Sequence, residues 1–234
     1  MKKEVFEVFS KSLDIASIFI LLLPLIAITI KRSARNTYAL PLGLSFGLLF
    51  LTALIQNSII KLNSEAASIV AALGMLIQPL LTLMFLKHFV QKKEFKKDLQ
   101  AGLLILVVAN LILLMINGLR PETILIAFGL GLTLVFMFGI AILTSVIKEF
   151  MRPNKGMAKF ILITGVVFSH TCFLFIWLVN VQLFEVNQNI VTLISQLTII
   201  IFSTLISIGI LMDTREVTSK KRRQVQHFAL NTGR

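Results

Sequence analysis

Residues 159–182 read KFILITGVVFSHTCFLFIWLVNVQ. After Lys159 the stretch runs 23 residues to Gln182 without an Asp, Glu, Lys or Arg. As a helix it rises about 35 Å, enough to cross a hydrocarbon core of roughly 30 Å. Lipid offers backbone N–H and C=O groups no partner, so such a run must bond to itself as a helix. The stretch also holds the only Trp (Trp177), the only Cys (Cys172) and the only His within an apolar run (His170). A chemical centre, if the chain has one, draws on this segment.

Working outward, six further runs have the same character. The seven spans are expected at about 11–30, 38–60, 66–90, 100–118, 122–147, 158–181 and 189–212. The fourth is the shortest and carries Asn110 and Asn117. The whole chain of 234 residues is 56% hydrophobic and 15% charged, with a mean hydropathy of +0.90. A water-soluble domain carries about 25% charged residues. The expected fold is therefore an all-α membrane protein, a bundle of seven transmembrane helices (residues 1–212) with a basic tail (213–234). No connection is long enough to form a second domain. The start MKKEVFEVFSKSL is mixed in charge and no small-residue cleavage site follows the first apolar run, so that run reads as a retained span.

Orientation follows from Lys and Arg in alternate connections. The connections after spans 1, 3 and 5, together with the tail, hold 18 of the 23 basic residues. Lys2, Lys3, Lys11, Lys61 and Arg120 lie on the opposite side. Positive charge accumulates on the cytoplasmic face, which places the N-terminus outside and the C-terminus in the cytoplasm of a bacterial cell membrane. The net charge of +12 thus reads as contact with anionic headgroups and not with nucleic acid. One Cys excludes an intramolecular disulfide.

Polar residues within the spans fall on helical faces. In span 3, Ala67, Ala71, Gly74, Gln78 and Thr82 share a stripe; in span 7, Thr192, Gln196, Ser203 and Ser207 do. Gly43 and Gly47 in span 2, and Ala127, Gly131 and Gly139 in span 5, are small-residue faces. Close helix packing explains all four stripes most simply. The sharper reading makes Gln78, Thr82, Gln196 and Ser203, with Ser169, His170 and Trp177 of span 6, the lining of a polar ligand pocket. His170 has Val166, Phe173, Leu174 and Trp177 as helical neighbours and no mid-span Asp, Glu or second His. A neutral, packed histidine is the simpler reading, and neither a metal site nor a cofactor is expected.

Asp14, Glu65, Glu122 and Glu185 collect near span ends on the expected outer side. They mark a headgroup boundary or, in the sharper reading, an acidic vestibule for a cation or amine. The tail presents Lys220, Lys221, Arg222 and Arg223 in one run, suited to anionic lipid or to a cytoplasmic protein partner. A second copy of the chain is a further candidate partner. No phosphate loop, nucleophile triad or paired His/Glu motif is present, which weighs against an enzyme.

Seven spans invite comparison with microbial opsins, but residues 189–212 hold no Lys for a retinal Schiff base. Sugar transporters of the SWEET type have two similar halves; here Pro24, Pro41 and Pro79 have no counterpart in spans 5–7. LLPLIAITIKRSARN (22–36), LTLMFLKHF (81–89) with its Lys-rich sequel, and KFILITGVVFSHTCFLFIW (159–177) give a closer likeness. In these features the chain resembles the seven-span membrane modules of some bacterial sensor histidine kinases and their free-standing relatives. The resemblance implies a sensory or signalling module. A small-solute transporter with a path between spans 3, 6 and 7 is the second expectation, and an intramembrane lipid-modifying enzyme the third.

Overall fold

The structure, a computed structural model, describes the backbone of residues 2–31, 38–150, 156–182 and 188–231. Side chains are described for 11–31, 38–150, 156–179 and 190–213. Among the described residues there are seven α-helices and no strand. They are α1 (Lys2–Ile30), α2 (Ala39–Gln56), α3 (Ser64–Lys87), α4 (Lys93–Asn117), α5 (Pro121–Phe150), α6 (Met157–Gln182) and α7 (Gln188–Asn231). Each contains a segment long and apolar enough to cross a membrane.

Helix ends follow local chemistry more closely than hydropathy. α2 stops at Gln56, short of the expected residue 60. There the Asn57 side chain donates to the Ala53 carbonyl at 3.0 Å, and Ser58 takes a positive φ of 57°. α3 begins where Asn63 Oδ1 accepts from the Ala66 amide at 2.8 Å, an N-cap that satisfies one orphan donor. Pro121 opens α5 at the position where a missing N–H costs nothing. Charged helix formers carry α4 seven residues further toward its N-terminus than the apolar run alone, and residues 2–10 likewise extend α1. Beyond Gly209, α7 meets no Gly or Pro before Asn231, so nothing in its sequence breaks the helix at the end of the apolar segment.

Packing joins α1, α2, α3, α5, α6 and α7 in a closed circuit, each helix against the next and α7 back against α1. α4 lies outside that circuit against α3 and α5 and is the least buried of the seven. The odd-numbered helices begin at one end of the bundle, here the upper end, and finish at the lower. Phe46 of α2 stacks on Phe202 of α7, ring centroids 5.0 Å apart, and joins Leu21, Leu83, Val135, Ile163 and Ile206 in one core cluster. In a bilayer, where lipid is as apolar as leucine, contacts of this kind hold helices together by close packing and not by escape from solvent.

One close approach joins α3 and α5. A Cβ on Gly131 would stand 2.6 Å from the Pro79 ring, so only glycine admits this crossing. Cavities open on either side of it. A groove of about 480 Å³ lies at the upper end between Ala72 and Met75 of α3 and Pro121–Leu125 of α5. One of about 510 Å³ lies at the lower end between the α3–α4 connection and the last turns of α5.

Candidate functional site

Two polar clasps join α1 to α7. Near the upper end the Gln196 side-chain amide donates to Asp14 Oδ1. Near the lower end the Lys31 ammonium donates to Asp213 Oδ2 at 2.9 Å, to the Ile210 carbonyl at 3.1 Å and to Tyr38 Oη at 3.4 Å. All three of its N–H donors are thus used, as a side chain only 6% exposed requires. Tyr38, the only Tyr, donates to the same Asp213 oxygen at 2.5 Å. Its ring packs against Phe85 of α3 and Phe89 just beyond that helix, centroids 6.2 and 5.8 Å away, which ties the cluster to four helices. Asp14 and Lys31 are 17 residues apart on α1, and Gln196 and Asp213 are 17 apart on α7. Equal spacing on two helices means that they run parallel and in register over about 26 Å.

Lys31 and Asp213 were legible only in part. Lys31 reads as an orientation marker and Asp213 as the start of a tail. The available signal was an acid at the end of span 7, on the side of the bundle where cations predominate. Asp14, expected in an outer acidic group, accepts from Gln196 of the polar face of span 7. Glu65 and Glu122 are exposed, and Glu122 borders the upper α3–α5 groove. Glu185 lies outside the described residues, as do the side chains of Lys220, Lys221, Arg222 and Arg223. The backbone of these four falls within α7.

His170 is 2% exposed on α6. Its Nδ1 lies 2.8 Å from the Val166 carbonyl oxygen, which can only accept, so Nδ1 carries the proton and donates. Ser169 Oγ lies 3.1 Å from the same nitrogen and 3.0 Å from the Val166 oxygen. The imidazole meets Phe202 edge-on, centroids 6.3 Å apart. A ring tied to its own helix and packed on phenylalanine is held in place by its surroundings. Trp177 faces α5, where its Nε1 donates to the Leu125 carbonyl at 2.7 Å. A Cβ on Gly129 would fall 2.1 Å from that indole, so the absence of a side chain there makes room for Trp177.

The remaining candidates divide among different contacts. Gln78, Gln196 and Ser203 are buried, and Gln78 Oε1, Gln196 Oε1 and Ser203 Oγ have no hydrogen-bond partner in the structure. Asn110 Oδ1 of α4, outside the expected pocket, is in the same position. Thr82 Oγ1 donates to the Gln78 carbonyl at 3.0 Å. α3 packs on α2, α4 and α5, whereas α7 packs on α1 and α6. Neither α3–α5 cavity includes Gln78, His170 or Gln196 in its lining. Among the described residues no three His, Cys, Asp or Glu side chains gather in a metal-binding group.

The lower cavity carries charge. Lys92 and Lys148 stand at its border, and Glu149 on its wall accepts from Gln91 at 3.2 Å and pairs with Lys159 at 3.3 Å. Above it, His88 ends α3 and is held below its ordinary pKa by partial burial first, then by the Lys96 and Lys87 ammonium groups. A cationic field surrounds this end of the bundle. Comparison of the chain with protein-family models, curated proteins and solved structures finds no match. Its class is accordingly defined by its fold alone: an all-helical bundle whose seven helices each suit a membrane span.

Proposed function

We propose that the chain is a multi-pass protein of a bacterial cytoplasmic membrane, N-terminus outside, that works as a sensory or signalling module through α7. The observation that carries this reading is the continuity of α7 from Gln188 to Asn231. Forty-four residues rise about 66 Å, twice what a hydrocarbon core needs. The apolar segment Ile190–Asp213 accounts for the membrane part, and the KKRR run falls on the remainder. A shift or rotation of α7 within the bundle therefore reaches the basic segment without a hinge. The two α1 clasps set the resting register of that helix. Basic residues on the continuation suit it to a cytoplasmic protein partner, to anionic headgroups or to a second copy of the chain.

A transporter remains the second reading because Gln78 Oε1, Gln196 Oε1 and Ser203 Oγ are buried and unpartnered. The Phe46–Phe202 stack occupies the interior that such a path would use, which favours signalling. Photo-crosslinkers introduced at Ser219 and Gln224, flanking the basic run, in native membranes separate the two. The expected result is a defined cytoplasmic adduct, lost both on neutralising Lys220–Arg223 and on Val217→Pro. The reading fails if the adduct pattern is the same in all three proteins. It fails equally if proteoliposomes take up a labelled solute at a rate that Gln196→Leu slows.

A further inference from the structure

The 510 Å³ cavity at the lower end of the α3–α5 crossing plays no part in the proposed output through α7, yet its walls have a particular chemistry. One side is apolar, formed by Phe89, Phe95 and Ile142 among others. The border carries Lys92 and Lys148. Its one carboxylate, Glu149, is occupied by Lys159 and Gln91, so the two border lysines dominate the remaining charge. α4 begins at this border, where its N-cap Lys92 makes no side-chain cap hydrogen bond and the first turn carries Glu94. The cavity also sits at a defined depth: α3 ends at Lys87, α4 starts at Lys93 and α5 finishes at Phe150. An apolar wall with two lysines at the end of the spans is the level at which a lipid changes from acyl chain to phosphate.

We propose that this cavity binds the phosphate headgroup of an anionic phospholipid. Lys92 and Lys148 take the phosphate, and the start of the acyl chains lies against the Phe95 and Ile142 wall. Lys96 and Lys97 share the same face of the bundle but do not border the cavity, so they contribute field without contact. The site stands whether or not the chain signals.

The test uses the full chain in nanodiscs of phosphatidylcholine with or without phosphatidylglycerol, with retained lipid counted by native mass spectrometry. Wild type is expected to keep phosphatidylglycerol against dilution. Lys92→Gln/Lys148→Gln is expected to bind it on the order of tenfold more weakly or worse, given the worth of two lysines near a lipid phosphate. Lys96→Gln/Lys97→Gln removes the same charge and is expected to behave as wild type. Glu149→Gln, which removes the competing anion, is expected to bind more tightly. Equal retention by all variants overturns the site, and equal loss in both lysine pairs reduces it to diffuse surface charge. Displacement of the lipid by inorganic phosphate at comparable concentration overturns the lipid assignment in favour of a free anion.

Discussion

Lys31 and Asp213 show how the bundle handles charge at its lower end. An ammonium group only 6% exposed is tolerable because Asp213, Tyr38 and the Ile210 carbonyl use all of its donors. Removing one partner strands the other. Asp213→Asn is therefore expected to cost about 2–3 kcal/mol, below the ~3–5 of a fully buried pair because Asp213 is itself 22% exposed. Lys31→Met/Asp213→Leu, which removes both charges, is expected to recover most of that loss. Denaturant unfolding in detergent measures both, and equal stabilities for the single variant and wild type would show that the pair contributes nothing. At this scale the sequence was legible in residue type but not in pairing. Gln196 was recognised as a polar face of span 7 and Asp14 as an outer acid, yet nothing local joins positions 182 residues apart.

The helices themselves were the most legible level. Seven apolar runs match seven helices among the described residues, as expected of segments that must satisfy their own backbone in a bilayer. Their ends were less so: the polar triplet Gln56, Asn57 and Ser58 stops α2, but Ile59 and Ile60 beyond it carried the expected span to residue 60. The small-residue face of span 5 was also legible, but not what it meets. Gly131 receives the Pro79 ring, and on the other side of α5 Gly129 receives the Trp177 indole. Gly129→Ala places a methyl 2.1 Å from that ring and so must displace it. The expected cost is about 1–3 kcal/mol, as for other overpacked contacts. Trp177 is the only Trp, so its fluorescence reads the event directly. A shift in emission and a lost near-ultraviolet dichroism signal are expected, whereas spectra identical to wild type would mean that the indole does not sit on Gly129.

At the scale of the whole molecule, six helices close a circuit, α4 braces its outside and one helix leaves it. The expected pocket between spans 3, 6 and 7 was drawn from three polar faces. Helical periodicity says which residues share a face but not which faces meet; here α7 packs on both α6 and α1, and α3 on α2, α4 and α5. That same α1–α7 pairing holds the helix whose continuation is central to the proposed function. The claim that α7 leaves the bundle unbroken is open to one direct measurement. Nitroxide labels at Thr204 and Phe228, in a Cys172→Ser background, are separated by 24 residues and hence about 36 Å along a continuous helix. Pulsed dipolar spectroscopy in nanodiscs is expected to give one narrow distance distribution near that value, broadened by Val217→Pro. A broad distribution centred at shorter distance in the unmodified helix would contradict the account.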